Sequence, residues 1–382
     1  MSVIEPTINR ADTGTAAASA AQTPVHMHIK FNGSDAFIKA LRKRVDQYFQ
    51  TTGKSPRDCP QMYFKTATIL AWFFGAYFLL LFAVHSWWLV VPLAVILGLG
   101  MAAIGFNIQH DGGHKAYSNY KWINKIMAMT MDLMGASSYL WDWKHNTIHH
   151  TYPNIDGHDD DIDVGILGRL SPSQPRYWFH RVQGIYLWVL YGFLAIKWHL
   201  FDDFYTVATA RIAGQKVPRP KGVDLLVFIG GKAVFFSMCF VIPMLLHPWY
   251  AVLAVYALAA FSSGVVLSVV FQLAHCVEEA DFPLPDDNGK MQTDWAVHQV
   301  QTTVDFARRN RFLSWFLGGL NFQIEHHLFH RICHVHYPAL SKVVEETCRE
   351  FGIRYTANKT FFSAVASHFR WLHRMGQPVN AS

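Results

Sequence analysis

The chain has 382 residues, 51% of them hydrophobic and 16% charged, with a formal net charge of +6. So small a charged fraction, against about a quarter in soluble domains, excludes a solvated or disordered chain. The uneven placing of the charges points to a membrane protein and gives no reason to expect a nucleic-acid partner.

Residues 1–25 are small and polar, with no apolar stretch of the kind a signal peptide needs. They read as a disordered tail, followed by a cytosolic segment over 26–65. From Thr66 to His110 there is no Asp, Glu, Lys or Arg for 45 residues, and Ala233–Val277 is a second uncharged run of 45. A bilayer core takes about 20 helical residues to cross, so each run is two crossings. The first breaks at His85-Ser86-Trp87-Trp88 and the second at His247-Pro248-Trp249-Tyr250; Trp and Tyr favour the lipid–water boundary. The expected fold is an all-α integral membrane protein with two transmembrane hairpins. Its four spans lie at about 66–84, 88–108, 224–246 and 250–272, helical because backbone groups in lipid must bond internally.

All 33 Lys and Arg lie outside the two runs, which places both termini and the middle segment on the cytosolic side. The basic face reads as a surface for anionic lipid headgroups or for an acidic substrate headgroup or redox partner. Residues 176–204 are apolar but interrupted by Arg181 and Lys197, and read as two interfacial helices, with a short span as the alternative. Lys232, just inside the third span, is expected either to snorkel to the cytosolic surface or to precede a helix that starts later than 224. The five cysteines show no CxxC spacing, so free thiols are expected.

Histidines cluster at three places: HDGGH holds His110 and His114, HNTIHH holds His145, His149 and His150, and QIEHH holds Gln323, His326 and His327. Residues four apart share a helix face, so each of the pairs 110/114 and 145/149 can present two imidazoles to one point. Neighbours on a helix diverge by about 100°, so 149 and 150 suit two metals better than one. His110 and His275 both sit where a span leaves the membrane on the cytosolic side, which makes His275 an eighth candidate. Eight imidazoles suit two metal ions. The acidic run behind the second cluster then offers carboxylates to orient the imidazoles. Asp159 is the favoured one, with Asp111, Asp142 and Glu325 also near ligand candidates. His298 is assigned either to support of a ligand or to a helix cap. His330, His334 and His336 are given structural roles.

In this order the clusters resemble the three histidine boxes of the membrane fatty acid desaturase family, HxxxH, HxxxHH and [HQ]xxHH. The glutamine of the third box and the run NFQIEHHLF…ICHVHYPAL resemble its front-end, linoleoyl-CoA desaturase-like subgroup. That subgroup inserts a double bond between an existing one and the carboxyl end of the chain. The resemblance covers about 60–355. It implies a membrane desaturase domain over 66–355, with a cytosolic helical cap formed by 109–223 and 273–355 and a cytosolic tail over 356–382. It implies a non-haem di-iron centre, O2 as co-substrate, and His110, His114, His145, His149, His150, His275, His326 and His327 as ligands. In place of a family histidine stands Gln323, whose expected task is to hold a water or a neighbouring ligand. The substrate would be a long-chain acyl-CoA or acyl-lipid.

No HPGG haem motif of a fused cytochrome b5 occurs, and His330 stands where members often have proline. Electrons are therefore expected from a separate donor, a ferredoxin or free cytochrome b5 with its reductase. The short form, with no ER-retrieval signal at GQPVNAS, suggests a bacterial inner membrane rather than ER. Tyr139, Trp141 and Trp143 are candidate walls of an acyl tunnel, and Lys144, Arg308, Arg309 and Arg311 candidate contacts for a CoA phosphate. The nearest alternative is a di-iron acyl-chain hydroxylase of the same family. A membrane metal transporter is remote, because transport needs ligating groups at mid-membrane and these histidines lie at span ends and hairpin tips.

Overall fold

The computed structural model describes residues 29–378; the tail expected at 1–25 lies outside the described residues. The longer helices are α1 (Ala36–Thr52), α2 (Pro60–Phe82), α3 (Trp87–Gly113), α4 (Trp178–Thr209), α5 (Val223–Leu246), α6 (Trp249–His275), α7 (Trp295–Thr302), α8 (Gln323–Phe329), α9 (Tyr337–Glu350) and α10 (Phe361–Gly376). Two small two-stranded ladders complete it: Arg211–Ile212 antiparallel to Gln215–Lys216, and Asp305–Phe306 parallel to Ala357–Asn358. The chain is a helical membrane protein, and five of its helices, α2 to α6, are long and apolar enough to cross a bilayer.

The four spans read from the sequence coincide with α2, α3, α5 and α6. The α2 helix starts earlier than expected, at Pro60, a residue suited to a first turn because its missing N–H would be unbonded there anyway. Turns at 83–86 and 247–248 close the two hairpins. The hairpins meet at Gly98, where a Cβ would lie 2.3 Å from the Ala259 carbonyl oxygen, so only glycine lets α3 and α6 approach this closely. Large side chains such as Phe64, Trp88, Leu226 and Leu245 point outward, exposed, as expected where the solvent is hydrocarbon.

Three expectations need correction. Residues 178–209 are not two separate helices but one broken helical run of span length. It lies along α6, with the Tyr191 carbonyl accepting from Ser268 Oγ at 3.2 Å and His199 Nδ1 3.2 Å from Tyr256 Oη. Lys232 does not snorkel. Its ammonium is buried, 2.8 Å from Asp203 of α4 and 2.7 Å from the Gly135 carbonyl, because a partner inside the protein is closer than the surface. The tail after 355 is no appendage. Thr360 and Ser363 cap α10, and Ala364, Trp371, Leu372 and Met375 are buried in the largest apolar cluster, with residues of α4 and α6. Its His368 Nδ1 lies 2.6 Å from the Cys276 carbonyl, one residue beyond His275. All five cysteines are free.

Candidate metal centre

The histidines arrive from four directions. The α3 helix ends in a widened, π-type turn at Ile104–Gln109 before His110–Gly113. The second cluster lies on another π-type run, Asp142–His149, closed by the His150 N–H donating to the His145 carbonyl at 3.0 Å. An i→i+5 turn holds more residues than an α turn. It therefore brings His145, His149 and His150 closer to one face than the 100° divergence expected of an α-helix. His275 is the last residue of α6, and α8 carries His326 and His327.

These eight residues form one buried cage. One ligating nitrogen from each of His110, His114, His145 and His326 lies within 4.8 Å of the others, and the same holds for His149, His275 and His327. His150 joins the two groups: it forms a third such set with His326 and His327. Its ring centroid is 4.7 Å from that of His326 and 4.4 Å from that of His327.

The outward-facing ring nitrogens are held by the protein. His149 Nδ1 is 3.0 Å from Asp159 Oδ1, His327 Nδ1 is 2.7 Å from Gln299 Oε1, His326 Nδ1 is 3.3 Å from Tyr337 Oη, and His145 Nδ1 is 3.5 Å from Asp161 Oδ2. The Nε2 atoms of these same four rings are buried with no hydrogen-bond partner, as are both ring nitrogens of His114 and His150 and Nδ1 of His275. Buried polar atoms without partners are rare in folded proteins; a converging set of lone pairs is what metal ions satisfy, with the second nitrogen oriented from outside. The residues thus fit a pair of metal ions.

Electrostatics agree with that fit. Burial holds the imidazoles of His114, His150, His326 and His327 well below their ordinary range, and neighbouring imidazoles act in the same direction. Neutral imidazole is the ligating form. His149 goes the other way: burial lowers it, but the Asp159 carboxylate outweighs burial. Burial also opposes the charge on Asp161, yet the Lys144 ammonium and His145 hold that carboxyl far below its usual range. Aromatic rings wall the cage, Trp141 stacked on His145 and Phe271 on His275, each at 4.6 Å.

Of the supporting residues expected, Asp159 reaches His149, and it also accepts from the backbone N–H groups of Asn154 and Asp161. Gln323 Nε2 stands 3.0 Å from His275 Nε2. His298 is not in the cage; its Nε2 lies 2.9 Å from the Pro153 carbonyl and so steadies the loop after His150. Asp111, Asp142 and Glu325 serve other partners, namely His334, Asn146 and the Tyr355–Asp305 pair. Lys144 is tied to Asp160 and Asp161, and Arg308 to Glu345, while Arg309 and Arg311 are exposed. Trp141 lies against the cage, but Tyr139 bonds the Pro218 carbonyl and Trp143 packs with Ile148, Ile212 and Val217. His334 and His336 are hydrogen-bonded to Asp111 and to the Ser55 carbonyl. His330, expected to be structural, sits against the cage, 5.2 Å from His114 and 4.9 Å from His150 between ring centroids.

Sequence reasoning missed Gln299, Tyr337 and Asn154. The Asn154 amide donates to the carbonyls of His275, Asp281 and Thr302, knitting the second cluster to the end of α6. Gln299 and Tyr337 carry no local signal, since each acts on an imidazole distant in sequence. Asp161 was visible in the acidic run but not separable from its neighbours.

Such a cage beside long apolar helices describes a membrane protein whose clustered histidines could hold metal ions. A profile of the family described as fatty acid desaturase matches residues 86–359. The chain is 41% identical over 349 residues to the sn-1 linoleoyl-lipid 6-desaturase of Arthrospira platensis, covering 91% of this chain and 94% of that one. It is 38% identical over 351 residues to the enzyme of the same description from Synechocystis sp., covering 91% and 98%. To the acyl-lipid (8-3)-desaturase of Physcomitrium patens it is 39% identical over 347 residues, covering 90% and 72%. The chain belongs to the fatty acid desaturase family and is an oxidoreductase that acts on fatty acyl chains.

Proposed function

We propose that this protein inserts a cis double bond into a polyunsaturated acyl chain of a membrane glycerolipid, between an existing double bond and the carboxyl end. The single observation that carries the reading is the cage itself: groups of four and three histidines joined by His150, with unpartnered nitrogens turned inward. The names of the relatives support a lipid-linked linoleoyl chain as substrate and the 6-position as the site of attack.

A methylene has neither an acidic proton nor a leaving group, so acid–base side chains cannot open it. A di-iron pair, when bound, supplies the O2-dependent oxidation that removes its hydrogens. His110, His114, His145 and His326 would hold one ion, His149, His275 and His327 the other, with His150 between. Asp159, Asp161, Gln299 and Tyr337 fix the ring orientations, Gln323 steadies His275, and the aromatic wall excludes water. Between the hairpins lies an apolar cavity of about 360 Å³, lined by residues that include Tyr77, Leu97, Met134, Val255 and Tyr256. Its size suits an acyl tail, which would lie in it while the reacting carbons meet the cage.

The arrangement in the membrane is part of the same reading: α2, α3, α5 and α6 as four spans, with α4 embedded along α6 and both termini cytosolic. Residues 109–177, 210–223 and 273–355, together with α10, then form a cytosolic cap. A bacterial inner membrane and a separate electron donor complete it.

The test is gas chromatography–mass spectrometry of the fatty acids of a heterologous host fed linoleate. Wild type should give a new chain two hydrogens lighter, with the bond position read from its fragments. His149→Ala should abolish the product while the protein stays in the membrane. A product one oxygen heavier would replace this reading with hydroxylation.

A further inference from the structure

The reading above requires two electrons from outside: CH2–CH2 + O2 + 2 e⁻ + 2 H⁺ gives CH=CH + 2 H2O. Electron transfer weakens steeply with distance, so where the cage comes nearest the surface matters. The eight cage imidazoles are all buried. His330 is in ring contact with two of them but is only partly buried, and its Nδ1 has no partner. It is therefore an aromatic bridge from the cage toward solvent.

Cations surround that bridge. Arg331 follows it directly and is exposed; Lys115 follows His114 and is exposed. Arg57 reaches the Lys115 carbonyl through Nη1 at 3.5 Å. None of the three has an ion pair among the described residues, a property they share with exposed cations such as Arg309 and Arg311. The carboxylates close to Arg57 and Lys115 in sequence are engaged: Asp58 accepts from Ser118, Tyr63 and the Asn119 N–H, and buried Asp111 pairs with His334. The cage's other polar flank, by His145 and His149, carries Asp159, Asp160 and Asp161 and would repel an acidic partner.

We propose that Arg57, Lys115 and Arg331 form the docking edge for a small acidic one-electron carrier protein, with His330 as the bridge through which its electrons enter the cage. Two reduced carriers would dock in turn, each giving one electron and leaving oxidised. Complementary charge speeds such encounters, and electron-transfer contacts are small and short-lived. The proposal rests on the desaturase reading for its need of electrons, not for its geometry.

The test uses the full chain, iron-loaded, in nanodiscs of neutral phosphatidylcholine, with an acidic [2Fe–2S] ferredoxin as probe. Lys115→Glu with Arg331→Glu should slow ferredoxin association about tenfold or more at low salt and remove its salt dependence. Iron content and product formed with dithionite should stay unchanged. His330→Leu, which removes the ring, should leave ferredoxin binding intact but slow electron transfer from the bound carrier. Unchanged association in the double variant would overturn the docking edge. A loss seen only as weaker binding to anionic vesicles would also overturn it, making the edge a lipid contact. An unchanged transfer rate in His330→Leu would overturn the bridge. Failure of unmodified protein to form product with either reductant would count against the desaturase reading, while the binding comparison would still decide the docking edge.

Discussion

Asp159 holds both His149 and the turn that follows it, through Nδ1 and through the N–H groups of Asn154 and Asp161. Replacing it with asparagine keeps the size but weakens the hydrogen bond that makes His149 a better donor. Partners of this kind are worth about 10–100-fold in metal affinity or activity. Asp159→Asn is therefore expected to lower iron retention by that factor, measured as iron content against a competing chelator. A second carboxylate, Asp132, lies outside the spans and away from the cage. Burial raises its pKa to about 6, and Oδ2 has no partner. A carboxyl raised above its unfolded value favours folding below about pH 4 and loses that benefit as pH rises through about 6. At pH 8 the buried charge costs on the order of 2–3 kcal/mol. Asp132→Asn should raise the melting temperature at pH 8 and leave it nearly unchanged at pH 4.

At the scale of elements, the second histidine cluster shows how local pattern and observed geometry can part. Spacing of four predicts one α-helical face for His145 and His149 and a diverging His150. The chain instead forms a π-type run that turns all three toward the cage. An i→i+5 turn is intrinsically poorer than an α turn and persists where tertiary contacts hold it, here the bonds from Asp159, Asp161 and the Asn154 loop. The α4 and α5 helices are joined by a different device, the buried Lys232–Asp203 pair. Removing one partner of a buried pair leaves the other charge uncompensated, at about 3–5 kcal/mol. Lys232→Ala should lower thermal stability in detergent by that amount, and adding Asp203→Leu should restore much of it.

For the whole molecule, the feature that bears most on substrate is the apolar cavity, whose lining includes none of the cage histidines. The cavity lies between the two hairpins, reaching from Met134 at one end to His85 and His247 at the tips. If it takes the acyl tail, its depth limits chain length. Val255→Trp narrows it from α6 and should reduce conversion of long acyl chains more than short ones, read as the product ratio from a mixed feed. Equal loss for all lengths would place the tail elsewhere. The α10 helix, set apart in the sequence reading as a tail, belongs to the same body. Its aromatic and aliphatic face completes the largest apolar cluster, and His368 reaches the turn beside His275.

Two kinds of information separate along this chain. Membrane character, the four hairpin helices and the three histidine clusters are written locally, in uncharged runs long enough to cross a bilayer and in ligand spacings of three to five residues. Composition and period carry such signals without reference to distant residues. What only the tertiary structure decided is pairwise and long-range. Gln299 and Tyr337 rather than Asp111 or Glu325 hold cage imidazoles, His330 touches the cage while His334 and His336 do not, and Lys232 turns inward to Asp203. Each depends on which segments are packed face to face. A buried polar atom takes the partner that packing brings within reach, whatever its distance along the sequence.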